Sequence, residues 1–197
     1  MSQIVAGPDG ATPLDPDELA GLKHPHIQTR GQLDELEQYN VQAGLKWLKR
    51  QKNADILSEQ FVCQLHERLF GEVWNWAGKF RRSDKNIDCD AGQIAIQLRN
   101  LLDDSRYWVE NTTYPAKELA ARFHYRLVAI HPFANGNGRH SRIMADALLT
   151  LVMGELPIDW AGGRSLQEMG EHRKTYMAAL RAADGHEYQP LLEFVGL

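Results

Sequence analysis

The chain has 197 residues, 43% hydrophobic and 24% charged, which is enough for one domain with a sizeable core. Its 22 basic residues against 26 acidic ones leave a net charge of −4, which argues against a generic binder of nucleic acid or of anionic membrane surfaces. Cys63 and Cys89 lie far apart and form no CxxC pair, so a reduced, cytoplasmic setting is favoured over a disulfide framework.

Residues 1–30 are rich in Pro, Gly, Asp and His, show little periodicity, and are predicted to form an extended arm. Met1–Thr12 lacks the charged-then-apolar layout of a signal peptide, and no apolar run approaches the ~20 residues of a membrane span. From Thr29 or Arg30 a helical pattern begins, carried by Leu33, Leu36, Val41, Leu45, Trp47 and Leu48. Ser58 is a good N-cap for a second helix through Phe61, Val62, Leu65, Leu69 and Phe70. The stretch from Gly71 to Asp90 differs in kind: Trp74, Trp76 and Phe80 precede a run of charged and polar residues, which predicts a short hairpin or flap. Helix resumes over Gly92–Glu110.

Pro115 opens the next predicted helix, which carries Leu119, Phe123, Leu127 and Ile130. Pro132 bars His131 from the right-handed helical region, so that helix breaks there. After a glycine turn, Ile143, Ala147, Leu148 and Leu151 mark another helix ending near Gly154. A loop over Pro157–Gly163 follows, then a helix capped by Ser165 and closed by Asp184-Gly185, and a last short one over Gln189–Val195. The predicted fold is all-α with one small β element in the Trp74–Asp90 region.

Chemistry concentrates in twelve residues, His131-Pro132-Phe133-Ala134-Asn135-Gly136-Asn137-Gly138-Arg139-His140-Ser141-Arg142. Each residue has a structural reading. His131 would bond a backbone carbonyl, Gly136 and Gly138 would allow φ > 0 in a tight turn, and the arginines would be solvated. The combination is harder to explain that way, because a structural turn needs neither two glycines around an asparagine nor paired arginines behind them. A glycine-rich turn opening a helix presents backbone N–H groups to an anion. The dipole alone contributes only ~0.3–1 kcal/mol, so Arg139 and Arg142, at i and i+3, should dominate phosphate binding. A neutral His131 would take the proton of an incoming hydroxyl. Phe133 reads as a core anchor.

The stretch resembles the Fic-family signature His-x-Phe-x-acid-Gly-Asn-Gly-Arg-x-x-Arg, matching at His131, Phe133, Gly136, Asn137, Gly138, Arg139 and Arg142. Trp76-Ala77-Gly78 with Arg81 resembles the segment leading into that family's flap, and Tyr176–Tyr188 resembles its C-terminal helix and turn. The arm and first helix resemble the subgroup called mobile mystery protein B. The resemblance implies a Fic-type helical bundle with a small β-hairpin flap: residues 1–30 as arm, 31–54 as an N-terminal helix, and 55–197 as a Fic domain forming one globular unit with that helix. It implies AMP transfer from ATP to a Ser, Thr or Tyr hydroxyl of a target protein. In that scheme His131 is the general base, and Gly136, Asn137 and Gly138 form the anion hole. Arg139 lies on the β-phosphate side and Arg142 at the γ-phosphate. The flap residues Phe80, Arg81, Arg82, Ser83, Asp84, Lys85, Asn86, Ile87 and Asp88 would hold the target by strand addition; a solvated hairpin is the other reading.

Two departures stand out. Asn135 occupies the position of the Mg²⁺-binding acid, and an amide oxygen coordinates without adding charge, so Mg²⁺ would be held mainly by ATP phosphates. Transfer of another phosphate-linked group, such as phosphate itself, and a non-catalytic nucleotide-binding module therefore stay open. No Ser or Thr has Glu four residues later, so the inhibitory pattern Ser/Thr-x-x-x-Glu-Gly/Asn is missing. Glu35 and Glu37 would approximate such a brake or form a solvated helix face. Restraint by a separate antitoxin-like helix-turn-helix partner fits the subgroup resemblance and a toxin-like role. The eight histidines include no HExxH pattern, and Arg81, Arg82 and Lys85 are too few to argue for nucleic-acid binding.

Overall fold

The computed structural model describes residues 15–85, 89–160 and 170–197. Its helices are α1 (Pro16–Leu19), α2 (Arg30–Leu48), α3 (Glu59–Phe70), α4 (Ile94–Glu110), α5 (Ala116–Ile130), α6 (Asn137–Ala147), α7 (Glu171–Asp184) and α8 (Gln189–Phe194). A 3₁₀ turn, Ala91–Gln93, leads into α4, and α6 runs on into a π-helical turn, Leu148–Met153, closed by Gly154 at φ 70°. None of the described helices is long and apolar enough to cross a membrane.

Local chemistry explains most boundaries. Thr29 caps α2 by accepting from the Gln32 N–H at 3.3 Å, while the Gln32 side chain reaches back to the Thr29 N–H at 3.2 Å. Ser58 caps α3 through the Phe61 N–H at 3.2 Å. The Ser165 cap predicted for the helix containing Tyr176 lies outside the described residues; within them, that helix runs from Glu171.

α5 is the central helix, packed on α4, α6, the π turn and α8, while α2 lies along α3. α2 buries an unusually polar face. Asn40 donates to the Arg68 carbonyl at 3.1 Å and accepts from the Glu72 N–H at 2.9 Å, tying α2 to the frayed end of α3. At Gly44 the two helices touch: a Cβ there would stand 2.8 Å from the Arg68 carbonyl oxygen.

Two expectations are corrected. The arm is not wholly extended, because α1 forms within it and residues 21–23 then run antiparallel to 73–75, with Lys23 N–H to Val73 O and Asn75 N–H to Gly21 O both 2.9 Å. The predicted β element is also absent from the described part of 74–90, where pairing is limited to the isolated Leu22–Trp74 bridge. Within this segment the Arg81 side chain takes up the carbonyls of Ser83 and Cys89. Asn86, Ile87 and Asp88 lie outside the described residues.

Candidate active site

His131 caps α5 in the left-handed region, at φ 51° and ψ 62°. Pro132 excludes the right-handed helical alternative, and the His131 N–H keeps one bond to the Leu127 carbonyl at 3.3 Å. Such a conformation costs a non-glycine residue roughly 1–3 kcal/mol and persists only where neighbours enforce it. Arg81 enforces it. The Arg81 N–H donates to Pro132 O at 2.9 Å, and its Nε donates to His131 O at 2.8 Å. The same buried guanidinium also donates to Ser83 O at 2.9 Å and to Cys89 O. Arg81 therefore braces the flap base against the histidine, with its side chain fully buried.

The half-buried imidazole of His131 is held down to a pKa of about 4, first by desolvation and then by the Arg81 charge, with a smaller push from Lys85. A hydrogen bond to the Val128 backbone carbonyl partly offsets these effects.

Beyond Pro132 the chain turns around Asn137, whose amide accepts from the Phe133 N–H at 3.0 Å and donates to Phe133 O at 2.8 Å. This buried side chain is committed to shaping the loop, so what Asn137 offers an anion is its backbone N–H at the start of α6. Gly136 sits at φ 78°, and a Cβ there would lie 2.7 Å from the Phe70 ring. At Gly138, among the described residues, a Cβ would meet nothing closer than an Arg142 guanidinium nitrogen at 3.6 Å. These residues do not demand glycine at 138, whereas an anion seated on the α6 N-terminus would.

The two arginines differ in their commitments. Arg139 pairs with the buried Glu37 carboxylate of α2 at 2.5 Å and lies over the Phe70 ring, 4.7 Å from its centroid. The other Glu37 oxygen accepts from the Trp74 indole at 2.8 Å. Glu35 is exposed. Arg142 instead donates to the Tyr176 hydroxyl at 3.2 Å, and that hydroxyl lies 2.9 Å from Nε2 of buried His124.

Asn135 does not build a metal site. Its side-chain oxygen accepts from the Gly136 N–H at 2.6 Å, and among the described residues no group of three His, Cys, Asp or Glu side chains could hold an ion. An amide oxygen already engaged, which brings no charge, is a poor match for Mg²⁺.

Of the flap residues, Phe80 leans on Phe133 with ring centroids 6.0 Å apart, and Arg82 is exposed. Ser83 donates to Asp15 at 2.7 Å, while Lys85 pairs with Asp15 at 2.9 Å and with Glu18 at 2.6 Å. Asp84 accepts from the Ala91 N–H at 2.7 Å. Sequence reasoning missed three supports of this site, namely His66 under the loop, Trp74 on Glu37, and the Tyr176–His124 pair. The signal available for them was a buried polar group within an apolar stripe, which must find a partner somewhere.

Residues 56–149 match the model of the Fic/DOC family. A protein adenylyltransferase Fic from Aedes aegypti is 28% identical over 182 residues, and one from Drosophila melanogaster is 26% identical over 181. Each match covers 86% of this chain but only about a third of the relative, 34% and 35% respectively. Among solved structures, the N-terminal FIC domain of Bep8 from Bartonella sp. 1-1C superposes with a TM-score of 0.69 at 17% identity, covering 89% of this chain and 88% of that one. Fic-1 of C. elegans gives 0.65 at 24% identity, over 89% and 51%. BepC from Bartonella tribocorum, solved with AMPPNP bound, gives 0.66 at 17%, over 92% and 96%. With its His131–Arg142 loop placed at the α5–α6 junction of this helical fold, the chain is similar to the Fic/DOC family over residues 56–149.

Proposed function

We propose that this protein transfers AMP from ATP to a hydroxyl group of another protein. The observation that carries the proposal is the juxtaposition at one helix junction of His131, held neutral by burial and by the Arg81 charge, with the N-terminus of α6, where the described residues leave room beside Gly138. In this reading His131 accepts the proton of a Ser, Thr or Tyr hydroxyl, whose oxygen forms a bond to the α-phosphorus. The bond from that phosphorus to the β-bridging oxygen breaks, and pyrophosphate leaves. The α6 amides and Arg142 stabilise the charge that moves onto the phosphates, and Arg139, anchored by Glu37, shapes the β-phosphate side. The names of the A. aegypti and D. melanogaster relatives and the nucleotide analogue bound to BepC support this reading.

Because the loop supplies no carboxylate, any Mg²⁺ would arrive on the triphosphate. In the same reading the target segment adds as a strand along the flap, at backbone groups other than the Arg81 N–H and the Ser83 carbonyl, which are already engaged. A cytoplasmic setting is consistent with the free thiols of Cys63 and Cys89. On the subgroup resemblance, a separate antitoxin-like helix-turn-helix protein restrains a toxin-like activity.

The test is incubation with α-labelled ATP, Mg²⁺ and a bacterial lysate beside a His131→Ala control. We expect protein labelling that falls by on the order of 10²–10³ in the variant. Equal labelling in both samples, or none under any metal condition, refutes the proposal. Asn135 favours keeping a second reading, transfer of phosphate itself, which the mass added to a modified target distinguishes. A non-catalytic nucleotide-binding module would bind ATP through its arginines and be indifferent to His131→Ala.

A further inference from the structure

His66 lies on the buried face of α3, beneath the loop and outside every role assigned so far. Its ring is stacked on Phe133 with centroids 3.7 Å apart, tilted against Phe70 at 4.8 Å, and edge-on to His140 at 5.4 Å. Both ring nitrogens are used, and they point to different parts of the site. Nδ1 accepts from the Gly78 N–H at 3.0 Å, at the root of the flap, where Gly78 itself stands at φ 77°. Accepting at Nδ1 places the ring proton on Nε2, which donates to the Asn135 carbonyl at 3.0 Å, in the middle of the loop. The arrangement works for one tautomer of the neutral ring and for no other state: an imidazolium would set N–H against N–H at Gly78.

Residues 66, 78 and 135 are far apart in sequence, and no other side chain described above bonds both the flap root and the loop between Pro132 and Arg139. Arg81 ties the flap to the His131 carbonyl from above, and His66 ties it to Asn135 from below. We propose that His66 is a positioning residue, a two-sided joint that sets the flap root and the phosphate-binding loop at a fixed distance from one another. The proposal rests on the preceding reading only in calling one side the nucleotide side and the other the target side.

The joint can be cut on either side. Glutamine places its amide nitrogen where Nε2 stands, so His66→Gln keeps the loop bond and loses the flap bond. Asparagine places its amide oxygen where Nδ1 stands, so His66→Asn keeps the flap bond and loses the loop bond. Both variants lose the same stacking on Phe133, so a residue that merely fills the core would make them behave alike.

Hydrogen exchange on the full chain without nucleotide separates the two cases. In His66→Gln the amides of 78–85 should exchange roughly three- to tenfold faster, the loss of one neutral hydrogen bond, with those of 133–139 close to wild type. In His66→Asn the pattern should reverse, and affinity for AMPPNP should fall by a similar factor while His66→Gln keeps it. Equal loosening of both segments in both variants, or loosening in neither, overturns the joint. If a variant does not fold, ¹⁵N-histidine NMR of the wild-type chain at pH 7 decides: a His66 ring protonated at Nε2 alone supports the joint, and one protonated at Nδ1 overturns it. Failure of the wild type to bind AMPPNP would count against the nucleotide reading, while the exchange pattern would still judge the joint.

Discussion

At the scale of single residues, the two loop glycines separate a folding requirement from a functional one. Gly136→Ala puts a Cβ at φ 78° and against Phe70, so it should cost about 1–3 kcal/mol in a urea unfolding experiment. Gly138→Ala meets only a guanidinium nitrogen at 3.6 Å, so it should leave the unfolding midpoint nearly unchanged while weakening ATP binding measured by calorimetry. His131 gives a second prediction. In the proposed reading the base must be neutral, and in the free protein burial and the Arg81 charge hold the ring's pKa down to about 4. The acid limb of kcat/KM should therefore lie near that value instead of near the usual ~6.5. Bound triphosphate brings negative charge toward the ring and should shift the limb of kcat to higher pH. A kcat/KM limb at 6.5 would contradict the assignment of His131 as base in this environment.

Between elements, the site depends on buried polar bridges. Glu37 joins α2 to α6 through Arg139 and to the 71–78 segment through Trp74, with both carboxylate oxygens occupied. Glu37→Ala strands a mostly buried guanidinium and an indole N–H, so it should destabilise the fold by about 3–5 kcal/mol, and the Glu37→Ala/Arg139→Ala pair should fall well short of additivity. Urea titration of the four members of the cycle measures this. Tyr176 plays a comparable part between α7 and α6. On the assignment of Arg142 to the γ-phosphate, Tyr176→Phe should weaken ATP binding roughly five- to tenfold and leave AMP binding unchanged, because of the two groups that hydroxyl meets, His124 and Arg142, only the arginine is assigned to a phosphate. Calorimetric titration with each nucleotide reads the difference.

For the whole molecule, four histidines are held neutral, three of them buried and His131 half-buried. Desolvation pushes His66 and His124 well below the ordinary imidazole range, His131 to about 4 and His140 to about 3. Since their folded pKa values lie below the unfolded value of about 6.5, the unfolded chain binds more protons between those limits. Their contribution to stability is complete above pH 6.5 and is lost on acidification toward the folded values. Asp146 opposes them: burial raises it to about 6, so its contribution is present below about 4 and lost as pH rises through 6. Four groups outweigh one, and the urea midpoint at constant ionic strength should fall steadily from pH 7 to pH 5. A midpoint that rises on acidification would contradict the neutral burial of these histidines.

Periodicity and capping were enough to place α2, α3, α5 and the α5–α6 junction, because Thr29, Ser58, Pro115, Pro132 and Gly136 act within a turn of their own position. The same local grammar located His131, the glycines and the arginines together, since twelve consecutive residues need no fold to bring them near each other. It failed for the flap, where Arg81 reads as a surface charge until its carbonyl partners at Ser83, Cys89 and His131 are known. Sequence by itself thus determined α2, α3, α5 and the contents of the His131–Arg142 loop. Tertiary structure alone decided what each side chain in that loop is free to do: Asn137 is consumed by Phe133, Arg139 is claimed by Glu37 from 102 residues away, and His66 joins two segments that no short-range rule connects. The physical reason is that a buried polar group must find its partner wherever the packed chain supplies one, and long-range partners leave no periodicity to read.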